Sequence, residues 1–138
     1  MLGLCHEICG EQGLGWSRRL ALLAGMPDTG PDSMPWKYGI QDGIDAEQAN
    51  ARTAAILSML AEQLEQSGGP YLMGSALRAV DIFWAAFSNL IEPLPPEQSP
   101  MPNFIRDSYS SWAGGCSANL LALRDRVFEQ HLGLPQEF

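Results

Sequence analysis

The amino-acid sequence predicts an all-α fold, a bundle of five main helices. Apolar residues recur every three or four positions along several segments, which is the spacing of one helix face. Clusters of glycine and proline separate these segments, and no run alternates apolar and polar residues as a half-buried strand does. The chain of 138 residues is long enough to bury a core, so we expect a single helical domain over 1–138.

The first helix is predicted over roughly residues 2–24. Its apolar stripe has spacings of three, four and seven and consists of Leu2, Cys5, Cys9, Trp16, Leu20 and Leu23. Gly10, Gly13 and Gly15 weaken the middle of this helix by up to about 1 kcal/mol each relative to alanine. We interpret these glycines as a helix bend or a close packing contact, although they could also let a ligand approach the backbone.

A long connection without periodicity, residues 27–43, follows the first helix. It contains three prolines and three acidic residues, which are Pro27, Pro31, Pro35, Asp28, Asp32 and Asp42. Long ordered loops are often functional. We expect Trp36 and Tyr38 to anchor this one onto the helices, because burying an aromatic ring orders a loop effectively.

The second long helix is predicted to start at Asp45, with Gln48 as its capping-box partner three residues later. Its buried stripe is expected to consist of Ala49, Thr53, Ile56, Leu60 and Leu64. A stop follows at residues 67–70, which read Ser-Gly-Gly-Pro.

The central helix lies within residues 69–92, after a glycine-proline turn and a short apolar link. Between Ile82 and Ile91 only Ser88 and Asn89 are polar, so this helix has no obvious solvent face. A helix of that kind is normally the buried axis of a helical domain.

Asp81 is predicted to cap the start of the central helix by accepting a hydrogen bond from the backbone amide of Arg78. Arginine has no acceptor oxygen, so Arg78 cannot complete the reciprocal half of a capping box. The missing N-cap costs about 1 kcal/mol, but burial still forms the helix.

Two shorter helices complete the predicted bundle. The fourth starts near Ser99, has Pro100 in its first turn, and is expected to show Phe104, Ser108 and Trp112 on one face. The last begins near Ser117, ends before Gly133 and buries Leu120, Leu123, Val127 and Phe128. His131 in its final turn is interpreted as a residue that satisfies the helix dipole rather than a catalyst.

The start of the central helix resembles the C-terminal domain of glutathione transferases. In that family a glycine, an apolar link and an N-capping box ending in Asp precede the buried helix. The matching residues here are Tyr71, Leu72, Gly74, Leu77, Asp81 and Ile82. The family usually has Ser or Thr where this chain has Arg78, and the helix order matches over essentially the whole sequence.

The resemblance implies a division of labour. In the family, a thioredoxin-like N-terminal domain binds most of the glutathione and activates its thiol. This sequence has no βαβ pattern, so we expect that domain to be absent from it. The resemblance implies glutathione as the co-substrate. Without the thioredoxin-like domain, we expect this chain alone to conjugate nothing.

The resemblance also implies that the first helix, the central helix and the C-terminal residues form the wall of a pocket for an electrophilic, hydrophobic ligand. The candidate substrate-binding residues are Trp16, Arg19, Tyr109 and Trp112, which offer flat apolar surface and one charge for a carboxylate. The alternative for Trp16 and Trp112 is a place in the core, and for Arg19 a solvated position.

A second function is compatible with the resemblance. Transferase-like C-terminal domains also occur in translation factors and aminoacyl-tRNA synthetases, where they assemble complexes without catalysis. The family's usual dimer surface is formed by the first two helices, so a homodimer is expected with either function.

Composition restricts the partners. Sixteen acidic against eight basic residues give a net charge of −8, which disfavours nucleic acid, whose phosphates need a basic surface. No apolar run reaches the length of a membrane span, and the first residues lack the features of a signal peptide. We therefore expect no membrane partner and a cytoplasmic location.

No pattern in the sequence predicts independent chemistry. Cys5, Cys9 and Cys116 are an odd number and are interpreted as small apolar core residues in a reducing compartment, without a metal site. Glu7 and Glu11 lie four residues apart and are interpreted as a solvated helix face rather than an acid-base pair.

Overall fold

The computed structural model describes residues 1–24, 26–27, 30–38 and 45–136. Within these ranges it contains α-helices and no strand, which confirms the all-α class. The helices are α1 (Leu2–Cys9), α2 (Leu14–Leu23), α3 (Met34–Lys37), α4 (Ala46–Gln66), α5 (Ala79–Ser88), α6 (Asn103–Tyr109) and α7 (Ala118–Val127), and a π-helical turn (Phe128–Leu132) continues α7. None of these helices combines the length and the apolar character needed to cross a membrane.

The prediction of one continuous first helix over 2–24 is wrong, because the helix is interrupted between Cys9 and Leu14. The amide of Gly10 closes α1 on the carbonyl of His6 at 2.8 Å, and Gly13 is the N-cap of α2. A Cβ atom at Gly13 would lie 2.8 Å from the carbonyl oxygen of Gly10. A side chain at Gly13 would therefore displace this turn, and the chain breaks here instead of bending.

The break changes which face of α2 is buried. Leu14 and Arg18, four residues apart, lie inside, whereas Trp16 and Leu20 are half-buried. At the start of α1, Leu2 is 79% exposed. The predicted stripe failed at these positions because it assumed one helical phase from residue 2 to residue 24.

Gly15 confirms the interpretation of a close packing contact. A Cβ atom at Gly15 would collide with the ring of Phe87 on α5. The absence of a side chain at this position allows the start of α2 to approach that ring directly.

Helix α4 follows the prediction closely. Asp45 caps it by accepting a hydrogen bond from the amide of Gln48 at 3.0 Å. The whole predicted stripe is buried, namely Ala49, Thr53, Ile56, Leu60 and Leu64. This face packs along α2 and against α7. Glu7 is solvent-accessible as predicted, and its carboxylate pairs with Arg52 of α4 at 2.6 Å, which joins α4 to α1.

The carboxylate of Asp81 is fully buried at the start of α5. One of its oxygens accepts from the amide of Arg78 at 2.8 Å, and the other accepts from the amide of Leu72 at 2.8 Å. The first bond was predicted and is confirmed. The second joins the link before the helix to the helix itself.

Helix α5 packs between α1 and α7. Trp84 is buried at its centre, and its indole nitrogen donates to the carbonyl of Leu120 at 2.8 Å. Two expectations are corrected. The helix ends at Ser88 rather than near Ile91, and it has a partly exposed side that includes Phe83.

Helix α6 starts at Asn103, four residues after the predicted start near Ser99. Pro102 is its N-cap, and a proline there disfavours helical geometry at the preceding residue, so the helix cannot begin earlier. Phe104 is 74% exposed rather than on a core face, and Trp112 lies beyond the last residue of the helix.

The last helix confirms its prediction. The hydroxyl of Ser117 caps α7, and the side chains of Leu120, Leu123, Val127 and Phe128 are all buried. His131 lies in the π-helical turn, and its Nε2 atom is 2.8 Å from the hydroxyl of Tyr71.

The three cysteines differ from one another. Cys5 is buried as predicted, whereas Cys9 is exposed and Cys116 is half-buried, so the interpretation of all three as core residues is wrong. Burial, together with the nearby Glu92 carboxylate, raises the pKa of the Cys116 thiol to about 11.

Candidate functional site

Two grooves adjoin each other beside α2. The first, which we name the apolar groove, has a volume of about 290 Å³ and lies between α2, α3 and α6. Its lining consists of Arg19, Leu22, Leu23, Met26, Met34, Phe104, Ile105, Ser108 and Tyr109. Most of these side chains are apolar, as is typical of small-molecule sites.

Local sequence explains how the apolar groove forms. Ser33 caps α3 by accepting from the amide of Trp36 at 3.2 Å, which sets Met34 at the rim. Helix α6 is short, and none of its residues is fully buried, so its apolar side chains remain available at the surface. Methionine is flexible and can adapt to the shape of a ligand.

The second groove, which we name the Arg18 groove, has a volume of about 700 Å³. It lies between α2, α4 and the segment that follows α6, and its lining consists of Arg18, Ala21, Leu22, Asn50, Ala54, Ser108, Ser111, Trp112, Ala113 and Gly114. Leu22 and Ser108 line both grooves, so the two are neighbours.

Arg18 is the most unusual side chain of the site. Its Nε atom donates to the carbonyl of Leu90 at 3.0 Å, and its Nη2 atom donates to the hydroxyl of Ser111 at 2.9 Å. Nη2 also lies 3.4 Å from the carbonyl oxygens of Ser108 and Tyr109. The guanidinium thus holds the end of α5 and the end of α6 against α2.

Trp112 covers the same guanidinium. The Arg18 guanidinium carbon lies 5.6 Å from the centre of the indole ring, within the range of a cation–π contact. The indole nitrogen donates to the carbonyl of Gly115 at 2.8 Å, which fixes the orientation of the ring. Trp112 is therefore a rigid apolar wall of the Arg18 groove.

The charge of Arg18 has no carboxylate partner among the described residues. Only 3% of the residue is exposed, and this burial lowers the pKa of its guanidinium. The ion pairs that the described residues form are Arg52 with Glu7 and Arg124 with Asp125. Arginine nevertheless stays protonated in proteins, so a nearly buried positive charge lines this groove.

The four candidate substrate-binding residues do not all lie in one groove. Arg19 and Tyr109 line the apolar groove together, and Trp112 lines the adjoining Arg18 groove. Trp16 packs instead against Tyr38, with ring centres 5.0 Å apart, and is not part of the lining of either groove.

Arg19 is not simply solvated. Its guanidinium carbon lies 5.4 Å from the centre of the Phe87 ring, so the side chain is held over α5 while lining the apolar groove. Asp81 and Arg78 lie at the start of α5 and line neither groove, in keeping with the structural role predicted for them.

Sequence reasoning missed Arg18. The signal that could have found it is its spacing of four from Leu14, which places both residues on one helix face. The signal becomes visible only when α2 is treated as a separate helix that starts after Gly13.

The grooves contain little that could carry out a reaction. In the described part of the chain, no three His, Cys, Asp or Glu side chains converge as metal ligands would. The apolar groove has the hydroxyls of Ser108 and Tyr109 and the charge of Arg19 as its polar side-chain groups. This arrangement is suited to holding a ligand.

Comparison of the chain with protein-family models, with curated proteins and with solved structures gave no match. The resemblance to glutathione transferases therefore stays a prediction from the sequence motif.

Proposed function

We propose that this chain is a helical domain that binds a small apolar molecule in the apolar groove. The observation that carries the proposal is the convergence of Arg19 and Tyr109 on a groove whose other walls are largely aliphatic, aromatic or methionine side chains. Apolar walls supply affinity, and a few polar groups orient the ligand.

Within this proposal, the chain is the electrophile-binding half of a glutathione transferase-like protein. The buried Asp81 carboxylate at the start of the central helix supports the resemblance from which this follows. Conjugation of glutathione would require a thioredoxin-like domain to activate the thiol, and the helical domain would contribute the second substrate's site.

Binding is tested by fluorescence titration with N-phenyl-1-naphthylamine, a neutral dye that brightens in apolar sites. We expect saturable binding, and we expect Ile105→Glu to weaken it at least about tenfold, because a carboxylate in the groove must be desolvated. Ala122→Glu is the matched control, since Ala122 is exposed and lines a different groove, near Pro70. Equal binding by both variants would contradict the proposal.

The catalytic expectation is tested with glutathione and a chromogenic aryl halide. We expect no turnover above the buffer rate, because the resemblance assigns activation of the glutathione thiol, whose pKa is about 8.5, to a thioredoxin-like domain. Turnover that Tyr109→Phe abolishes would show that this domain carries chemistry of its own.

The alternative function, an assembly module that forms a homodimer, has one observation in its favour. Leu2 on α1 is 79% exposed and Phe83 on α5 is partly exposed, and α1 packs against α5. Sedimentation velocity tests whether this face forms a dimer. Under the assembly proposal the chain is a dimer that Leu2→Glu dissociates and Leu132→Glu, also at an exposed leucine, leaves intact.

A further inference from the structure

We propose that the Arg18 groove binds a planar aromatic carboxylate, with the acid group on the Arg18 guanidinium and the ring beside Trp112. This goes beyond the apolar groove and its neutral ligand. It assigns a second, adjoining subsite and a chemical class to the molecule that occupies it.

The first argument is the uncompensated charge. Arg18 is 3% exposed, and an arginine buried to this extent would ordinarily be paired with a carboxylate, because an unpaired buried charge is costly. Here the partners of Arg18 are carbonyl oxygens and one hydroxyl, which stabilise the cation as dipoles and leave its full charge. A ligand anion would supply the missing negative charge.

The second argument is the hydrogen-bonding capacity that remains. A guanidinium has five N–H groups, two of them on Nη1. The hydrogen bonds of Arg18 to described residues use Nε and Nη2. Nη1 thus keeps two N–H groups without a partner among the described residues, and it belongs to a side chain that lines the groove.

The third argument concerns the rest of the ligand. The groove volume of about 700 Å³ far exceeds the volume of a small inorganic anion. Beside Arg18, its walls are apolar at Leu22, Ala54 and Trp112, and its rim is polar at Asn50 and Ser111. Because Trp112 is fixed by its hydrogen bond to Gly115, it offers a preformed surface to a flat ring. An aromatic acid matches both the charge and the walls.

The test uses two ligands of nearly equal shape, 1-naphthoate and the neutral 1-naphthamide, in isothermal titration calorimetry. We expect the intact chain to bind naphthoate at least about tenfold more tightly, because a charge-assisted hydrogen bond to arginine favours the anion. Equal affinities for the two ligands would overturn the proposal.

Variants identify the residues that cause the preference for naphthoate over naphthamide. Arg18→Gln should abolish the preference for naphthoate, whereas Trp112→Leu should weaken both ligands and keep their ratio. Arg126→Gln is the control, because Arg126 bonds the carbonyl of Pro70 outside this groove. A preference that survives Arg18→Gln, or that disappears with Arg126→Gln, would contradict the assignment.

Arg18 also joins three segments, so Arg18→Gln could fail to fold. A second measurement on the unmodified chain covers that case. The Nε–H signal of Arg18 in ¹⁵N NMR should shift on addition of naphthoate, and it should shift further at saturating naphthoate than at saturating naphthamide. An unmoved signal at saturating naphthoate would overturn the proposal, and neither outcome depends on dye binding in the apolar groove.

Discussion

Replacing the buried carboxylate of Asp81 should destabilise the fold more than any change at an exposed acid. In Asp81→Ala, the amides of Leu72 and Arg78 both lose their acceptor. Leu72 is fully buried, so its amide would remain without a partner, at a cost of about 1–3 kcal/mol. Arg78 is exposed, so water can replace part of its bond, and the loss there is about 0.5–1.5 kcal/mol.

The sum is a loss of about 1.5–4.5 kcal/mol in the free energy of unfolding. For a domain of this size, about 1 kcal/mol shifts the melting temperature by about 3–5 °C, so we expect a decrease of about 5–22 °C. The measurement is thermal unfolding followed by circular dichroism, with urea unfolding as a second determination of the free energy.

The matched control is Asp107→Ala, which removes an exposed carboxylate from α6 and should change stability by less than about 0.5 kcal/mol. Asp81→Asn should fall between the parent and Asp81→Ala, because it keeps one acceptor oxygen. A melting temperature of Asp81→Ala equal to that of Asp107→Ala would refute the reasoning, since it would mean that the buried amides find other partners.

Three further predictions concern single sites. Gly15→Ala should lower stability by about 1–3 kcal/mol in urea melts, because the added methyl group collides with a phenyl ring of α5. Gly3→Ala, with open space around it, should raise stability by up to about 1 kcal/mol. A change of the same sign in both variants would contradict the packing argument. Arg78→Ser should stabilise by up to about 1 kcal/mol by restoring an N-cap acceptor, and a loss would reveal an unseen partner of the arginine. Iodoacetamide at pH 8 should modify exposed Cys9 and spare Cys116, because a pKa raised to about 11 leaves the Cys116 thiol protonated at that pH. Mass spectrometry that shows Cys116 modified first would contradict this expectation.

The sequence predicts the buried residues correctly where one face of a helix packs against the core along its whole length. In α4, five predicted positions from Ala49 to Leu64 are buried, and in α7 the four from Leu120 to Phe128 are buried. Both helices also begin at a residue whose side chain accepts from the backbone, Asp45 and Ser117. Periodicity and capping chemistry are local, so they could be derived without knowing the neighbours.

The first helix shows why the remainder could not be derived. The close contacts of Gly13 and Gly15 involve atoms of α1 and α5, and the spacing of apolar residues does not reveal them. Once the break is present, the phase of α2 changes, and Arg18 rather than Trp16 lies on the inner face. Two of the four candidate site residues, Arg19 and Tyr109, meet in one groove because α2 and α6 approach, which no local pattern encodes.

The structure describes part of the connection over residues 27–43. The packing of Tyr38 against Trp16 agrees with the expectation for Tyr38, whereas Trp36 is 41% exposed rather than buried. Residues 28–29 and 39–43, which include Asp28 and Asp42, lie outside the described residues.

The central claim, that the surface between α2 and α6 is a ligand site, is tested most directly by methyl NMR of isoleucine-labelled chain titrated with 1-naphthol, a neutral arene. Ile105 lines the apolar groove, whereas Ile8 and Ile56 are buried in the core away from it. We predict that the Ile105 methyl signal shifts in a saturable way while those of Ile8 and Ile56 stay in place. An Ile105 signal that does not move at the highest soluble concentration of naphthol would contradict the account.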